Sequence, residues 1–175
     1  IELTLDPGKA PVLQGDAGLS PKGPEPGNAS YYYSLTRMPT RGTVTVDGRG
    51  YAVTGDSWMD REWSTSALPD GIVGWDWFAL QLDDGSELML YQLRRADGTM
   101  DPFSKGSLVA PDGQATPIAA REVTLTPQGS WRAPSGAAYP ARWSLAVPSQ
   151  GLALEVAPAL ADQELPVSIR YWEGA

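Results

Sequence analysis

The sequence predicts an all-β fold, an antiparallel barrel or a strongly bent sandwich. Nineteen glycines and sixteen prolines interrupt the 175 residues, and no stretch keeps apolar residues at helical spacing for more than a turn or two. Three Asp-Gly pairs, at 47–48, 84–85 and 112–113, separate alternating runs, as is typical of tight turns between antiparallel strands. Many short strands joined in this way favour a closed or nearly closed sheet, because closure removes exposed edges.

The strands follow from these turns in chain order. The three Asp-Gly pairs join 42–46 to 51–55, 74–82 to 87–95 and 105–110 to 114–118, and the remaining strands are alternating runs bounded by glycine or proline. We expect the remaining strands at 1–5, 29–38, 58–66, 121–126, 141–147, 152–156 and 167–172. The glycine- and proline-rich stretch 7–28 is too long for a hairpin loop. We therefore expect a connecting segment at 1–28 and a β-barrel domain at 29–175.

Composition excludes several classes of function. The 13 basic and 21 acidic residues give a net charge of -8, which argues against a nucleic-acid partner, because phosphate binding needs a clustered positive surface. No apolar run approaches the roughly 18 to 20 residues of a membrane-spanning helix. Without histidine or cysteine, serine-histidine triads, thiol catalysis and the usual zinc sites are excluded, so we expect no metal and no cofactor. Carboxylates, hydroxyls and aromatic side chains remain for chemistry.

The stretch SWMDREWSTS, residues 57–66, places three consecutive charged side chains between two tryptophans. On a strand, Trp58, Asp60 and Glu62 share one face, while Arg61 and Trp63 share the other. The two acids then lie roughly 6.6 Å apart along the strand. If their face lines an apolar cavity, burial and mutual repulsion would raise at least one pKa and leave a carboxylic acid able to donate a proton. The alternative is a structural ion network, with Arg61 held by an acid of a neighbouring strand.

The strand GWDWFALQLDD carries a third candidate acid. Trp75 and Trp77 share one face, and Asp76 shares the other with Phe78. A carboxylate among apolar residues is either paired, here with Arg61 or Arg37, or has a raised pKa.

Tyrosines are candidates for the rim or core around these acids. In YYYSLTRM, Tyr31 and Tyr33 point to one face and Tyr32 to the other. Tyr91 lies on a strand with apolar residues on both faces, which is typical of a central strand. Tyrosine suits ligand-lined cavities because it combines an apolar face with a polar atom, although it is equally at home in a core.

Several motifs together resemble one family. GNASYYYSLTRM, GDSWMDREWSTS, GWDWFALQLDDGSELMLYQLRR and DQEL followed by YWEGA are similar to stretches of the carotenoid 1,2-hydratase (hydroxyneurosporene synthase) and AttH-like family. The similarity runs from about residue 11 to residue 175. It implies a lipocalin-like barrel, the second of two such domains in a longer parent, with the first domain missing and a periplasmic or secreted location.

The resemblance also implies a chemistry. In such hydratases a carboxylic acid protonates an isolated isoprenoid double bond and water captures the tertiary carbocation, with no cofactor. The resemblance makes Asp60 the first candidate acid and Glu62 its partner or the group that orients water. Asp76 is a further candidate because of its apolar neighbours. Candidate ligand-binding residues are Trp58, Trp63, Trp75, Trp77, Tyr31, Tyr33 and Tyr91.

Two other functions remain open at this stage. A carrier of lipids or isoprenoids in the cell envelope needs a cavity but no raised pKa. A carbohydrate-active β-domain could use exposed tryptophans and a pair of carboxylates, but Asp60 and Glu62 lie on one strand, whereas a glycosidase needs its acids on opposite sides of the scissile bond.

Overall fold

The computed structural model describes residues 1–64, 68–167 and 170–174, which form two compact units, Ile1–Ala120 and Arg121–Ala175. Regular structure is almost entirely antiparallel strand, so the all-β prediction is confirmed. Among the described residues the strands form open sheets and no closed barrel, which agrees with the bent sandwich rather than the barrel. No helix in this part of the chain is long and apolar enough to cross a membrane.

The first unit contains two sheets. One is built around the long hairpin of β4 and β5, with β1, β2 and β3 also paired to β4. The other has the order β6-β7-β8-β9. The strands are β1 (Glu2–Leu5), β2 (Val12–Leu13), β3 (Leu19–Pro21), β4 (Ala29–Val46), β5 (Arg49–Ser64), β6 (Ile72–Gln81), β7 (Glu87–Arg95), β8 (Lys105–Val109) and β9 (Ala115–Ala119).

The second unit contains three small sheets, with the orders β10-β13-β14, β11-β12 and β15-β16. Its buried apolar side chains include Leu145 and Val147 on β13. Two short 3-10 turns lie at Ala120–Glu122 and Pro148–Gln150. The strands are β10 (Thr124–Pro127), β11 (Ser130–Arg132), β12 (Ala138–Pro140), β13 (Trp143–Val147), β14 (Leu152–Val156), β15 (Glu164–Leu165) and β16 (Tyr171–Trp172).

The β4–β5 hairpin differs from the sequence prediction. The separate strands expected at 29–38 and 42–46 are one strand, as are those expected at 51–55 and 58–66, because the ladder continues across both gaps. A register shift between Leu35 and Met38 takes up the irregularity. The turn is as predicted: Asp47 and Gly48 have φ values of 48° and 77°, the positive values that a two-residue hairpin turn requires.

Residues before β4 belong to the same sheet. β2 and β3, which the sequence did not predict, pair with the first half of β4, and β1 pairs with its second half. β1 can approach closely because residue 42 is glycine, where a Cβ would collide with the carbonyl oxygen of Glu2. That residues 1–28 connect this domain to another stays a prediction. Residues 65–66 and 168–169, predicted as strand, lie outside the described residues.

The core of the first unit lies between its two sheets. Every second residue of β4 from Ser30 to Met38 is buried, and Tyr32 packs with Met89, Tyr91 and Leu93 of β7. Trp58, Ile72 and Phe103 surround this cluster. The inner face of β4 and β5 is therefore the face on which Trp58, Asp60 and Glu62 stand.

Candidate functional site

Asp60 is the centre of a hydrogen-bond cluster on the inner face of β5. Its Oδ1 accepts hydrogen bonds from Ser34 Oγ at 2.6 Å and from Trp58 Nε1 at 2.8 Å. Its Oδ2 accepts one from Tyr32 Oη at 2.8 Å. The three donors carry no formal charge, so the carboxyl group is held without a cation. Both oxygens are oriented by fixed partners, which is what a reacting carboxyl group requires.

Tyr32 connects this cluster to β6. Its side chain is buried, and its hydroxyl accepts a hydrogen bond from Trp77 Nε1 at 3.3 Å while donating to Asp60. Burial, followed by the nearby charge of Asp60, raises the pKa of the Tyr32 phenol. The phenol therefore keeps its proton throughout the physiological range. A protonated hydroxyl that both accepts and donates can relay a proton.

A series of hydrogen bonds between buried polar side chains leads from β8 to Asp60. Ser107 Oγ donates to Gln14 Oε1 at 2.8 Å, and Gln14 Nε2 donates to Ser34 Oγ at 3.0 Å. Since Ser34 accepts from Gln14, its own hydrogen points to Asp60. Gln14 and Ser34 are almost fully buried. The sequence analysis predicted none of these three hydrogen-bonded residues as part of a site. The sequence signal was on β4, where Ser30, Ser34 and Thr36 share with Tyr32 the face that is buried. Hydroxyl side chains on a buried face indicate hydrogen-bond partners inside the fold.

Glu62 has a different environment two residues further along β5. It accepts a hydrogen bond from Ser30 Oγ at 2.5 Å and forms an ion pair with Lys22 Nζ at 2.9 Å. Its side chain is 39% exposed, whereas that of Lys22 is 17% exposed. The two acids predicted to share a face do so, but Asp60 has neutral partners and Glu62 has a cationic one.

The aromatic candidates divide into those near Asp60 and Tyr32 and those that lie away from them. Trp58 and Tyr91 pack in the core cluster and Trp77 contacts Tyr32, so these three surround the Asp60 site. Tyr31, Tyr33 and Trp63 lie together on the outer face, with the Trp63 ring centroid 5.8 Å from that of Tyr31 and 6.4 Å from that of Tyr33. Trp75 and Trp77 share one face of β6, and both are exposed, at 42% and 39%.

Tyr91 adds a second buried phenol to the inner face. Its hydroxyl lies 3.1 Å from Ser20 Oγ, and burial raises its pKa. Like Tyr32, it stays protonated at neutral pH. Among the described residues no group of three or more acidic side chains is placed to hold a metal ion.

Asp76 stands apart from this cluster and has other partners than those the sequence predicted. It pairs with Arg94 Nε at 3.1 Å and accepts a hydrogen bond from Gln92 at 2.9 Å. The predicted partners are wrong: Arg61 is exposed on the outer face of β5, and Arg37 pairs with Asp56 and Glu87. Burial raises the pKa of Asp76 despite the opposing effect of Arg94.

The raised pKa of Asp76 predicts how the stability of an Asp76→Asn variant depends on pH. A carboxyl group whose pKa is higher in the folded than in the unfolded protein loses stabilisation as the pH rises through the folded value. Asp76→Asn should therefore be at least as stable as the wild type at neutral pH, because the ion pair lost to half-exposed Arg94 contributes only about 0 to 1 kcal/mol. As the pH falls towards 3.8, the ordinary pKa of an aspartic acid, the free energy of unfolding of the variant should decrease relative to that of the wild type. Urea unfolding at both pH values measures this difference, and an opposite trend would contradict it.

Arg37 belongs to a buried ion network at the middle of β4. Glu87, with no exposed side-chain surface, accepts hydrogen bonds from Arg37 Nε at 2.6 Å and Thr36 Oγ1 at 3.1 Å, and pairs with Lys9 Nζ at 2.8 Å. The hydrogen bond to Glu87 is the main cause that raises the pKa of Arg37. Lys9 also donates to the carbonyl oxygens of Gly85 and Ala110. This network joins the two sheets of the first unit.

Comparison with known proteins gives a consistent result. The family model described as AttH-like matches residues 1–175. A crystal structure of an AttH protein from Nitrosomonas europaea is similar with a TM-score of 0.90 and 34% identity, over 98% of this chain and 54% of that one. Kievitone hydratase from Fusarium solani subsp. phaseoli is 25% identical over 170 residues, which are 94% of this chain and 46% of that protein.

A crystal structure of kievitone hydratase from Nectria haematococca shares the fold, with a TM-score of 0.74 at 20% identity. The match covers 95% of this chain and 50% of that structure. The chain thus spans about half the length of the relatives that it matches.

Proposed function

The chain belongs to the AttH-like family, and from this membership we propose that it is one lipocalin-like half of a hydratase that acts on an apolar isoprenoid or lipid. The proposed partner is a second, similar domain of the same parent, and the proposed location is the cell envelope. The relation to kievitone hydratase, whose name describes the addition of water, supports the reaction class. Carotenoids are the substrates that the sequence motifs suggest first.

The observation that carries the proposal is the Asp60–Tyr32 hydrogen bond in an aromatic setting. Hydration of an isolated double bond requires a proton donor, stabilisation of a carbocation and a base that receives the proton released by water. Asp60 and Tyr32 supply the proton, and the faces of Trp58 and Trp77 next to them suit a cation. Every component is an acid, a hydroxyl or an aromatic ring, so the reaction can proceed without histidine.

The hydrogen-bond directions specify the proton path in this proposal. Ser34 and Trp58 both donate to Oδ1 of Asp60, and neither can turn away, because Ser34 is fixed by Gln14 and an indole N–H has one direction. Tyr32 can turn its hydroxyl hydrogen. In the protonated form of Asp60 that this path requires, the hydrogen bond reverses and Oδ2 donates to Tyr32. The Oδ2 proton then passes to the Tyr32 oxygen as the Tyr32 hydrogen passes to the alkene carbon.

The cycle closes on the same carboxyl group. Once the alkene has taken the proton, Asp60 is a carboxylate, whose negative charge favours the nearby carbocation. Water then forms a C–O bond to the cation and releases a proton to Asp60. The carboxyl group has its proton again, and the net reaction is alkene plus water giving a tertiary alcohol.

Mass spectrometry on the full-length protein tests the function. The protein is incubated with isoprenoid and lipid mixtures, and products are compared with those of a boiled sample. A ligand that gains the mass of one water supports hydration. A ligand that co-purifies and stays unmodified would support a carrier of lipids instead, and the absence of any bound or altered ligand would contradict both functions.

A further inference from the structure

The placement of lysine in this chain is unusual. The sequence contains three lysines, Lys9, Lys22 and Lys105, beside ten arginines, and none of the three is exposed. Lysine is normally a surface residue, because its ammonium group is strongly hydrated. Lys9 is accounted for by its ion pair with Glu87. Lys22 is accounted for in part by its ion pair with Glu62, whereas Lys105 has no ion pair of this kind among the described residues.

Lys22 and Lys105 are both neighbours of Tyr91. Lys22 follows β3, and its Nζ is 3.8 Å from the centroid of the Tyr91 ring and 5.6 Å from that of Tyr32. Lys105 begins β8 directly opposite Tyr91 in the β7–β8 ladder. Residues directly opposite in antiparallel strands project from the same face. The two lysines therefore stand on the inner face beside the core cluster of Tyr32, Met89, Tyr91 and Leu93.

The charges of these two lysines are not equally balanced. Lys22 has Glu62 as its ion-pair partner at 2.9 Å. Lys105 has no carboxylate within ion-pair distance in the described part of the chain, which covers 1–64, 68–167 and 170–174. Burial lowers the pKa of both lysines, and the proximity of Lys22 lowers that of Lys105 further. One positive charge on the inner face is thus left without a counter-ion, in a chain with a net charge of -8.

We propose that Lys105, assisted by Lys22, binds the carboxylate head group of an otherwise apolar ligand. A single negative charge matches the single unbalanced cation, and a charge-assisted hydrogen bond replaces the hydration that Lys105 lacks. Phe103, which packs against this core cluster and is only partly buried, provides apolar surface on the same side. This inference rests on the proposed function for the apolar part of the ligand and adds to it an acidic end.

Paired titrations of the full-length protein test the subsite. Oleate and oleyl alcohol share one apolar chain and differ in head-group charge, and tryptophan fluorescence reports binding because Trp58 lies in the site. Lys105→Met should weaken oleate binding roughly 10- to 100-fold, the range expected for a charge-assisted hydrogen bond, and leave oleyl alcohol unchanged. Lys105→Arg should keep most of the affinity for oleate. Arg49→Met, which removes an exposed cation beside the hairpin turn, should affect neither ligand.

The outcomes separate the subsite from the proposed function. If Lys105→Met weakens oleate and oleyl alcohol equally, Lys105 only shapes the site and the head-group proposal is wrong. If oleyl alcohol binds but oleate affinity is indifferent to Lys105, the subsite is refuted while the apolar ligand stands. If neither probe binds, the head-group proposal is contradicted, and the mass-spectrometric test of hydration decides separately on the apolar ligand.

Discussion

Asp60→Asn is expected to lower the turnover of the full-length protein by roughly 10²- to 10⁴-fold, the range that positioned acid–base groups contribute. The amide cannot donate and recover a proton as a carboxyl group does. Its oxygen can keep the hydrogen bonds from Ser34 and Trp58, and its amide nitrogen can donate to the Tyr32 oxygen once that hydroxyl turns. The fold should therefore change little in stability, by about 1 kcal/mol. Turnover is measured as the rate of water addition, with urea unfolding in parallel.

Asp47→Asn is the matched control for this variant. It makes the same chemical change at the exposed turn of the same hairpin, where Asn also accepts the positive φ of 48°. It should leave turnover unchanged. If Asp60→Asn keeps full turnover, the proton path through Asp60 and Tyr32 is wrong. If it unfolds the protein, Asp60 is structural, which is the alternative that the sequence left open.

Tyr32→Phe separates the relay from the acid itself. The phenylalanine keeps the buried ring but cannot pass a proton, so in the proposed path turnover should fall with Asp60 intact. Ser34→Ala removes a donor to Asp60 that takes no part in the relay and should lower turnover much less. The rate of water addition by both variants distinguishes the roles, and equal losses in the two would contradict the relay.

The face that carries the candidate acids could be predicted because strand side chains alternate strictly. Trp58, Asp60 and Glu62 share the inner face as the sequence indicated. The partner of Asp60 could not be predicted. Counting back from the Asp47-Gly48 turn places Leu35 opposite Asp60, but the register shift between Leu35 and Met38 places Ser34 there instead. A shift of one residue exchanges a strand's inner and outer faces, and no residue type announces this irregularity.

For Asp76, in contrast, the sequence contained enough information to predict its partners. The Asp84-Gly85 turn sets a regular register between β6 and β7, and that register places Gln92 directly opposite Asp76 and Arg94 opposite Gly74. Counting along the hairpin would therefore have found both partners of Asp76 instead of Arg61 or Arg37. Contacts between residues distant in sequence, such as Gln14 with Ser107 or Lys9 with Glu87, depend on how the sheets pack and have no comparable local signal.

Lys9→Met is expected to destabilise the first unit by about 1.5 to 3 kcal/mol, the loss typical of removing a hydrogen bond to a charged group, because Arg37 still pairs with Glu87. Glu87 has no exposed side-chain surface, so it cannot recover its lost partner's contribution from water. The carbonyl oxygens of Gly85 and Ala110 lose a donor as well. Lys9 lies in the stretch 1–28, which the sequence predicted as a connecting segment. Its ion pair with Glu87 therefore also attaches this stretch to the sheet of β6–β9. Urea unfolding followed by tryptophan fluorescence measures the loss.

Arg41→Met provides the comparison for Lys9→Met, because it breaks an ion pair with Asp6 in which both side chains are about half exposed. Exposed pairs contribute roughly 0 to 1 kcal/mol, since water replaces most of the interaction. The contrast between the two variants thus isolates burial from charge. A loss below about 1 kcal/mol for Lys9→Met would show that Arg37, together with water, compensates Glu87 when Lys9 is absent. The attachment of residues 1–28 to the sheet of β6–β9 would then rest on the hydrogen bonds that join Gln14 to Ser107 and Ser20 to Tyr91.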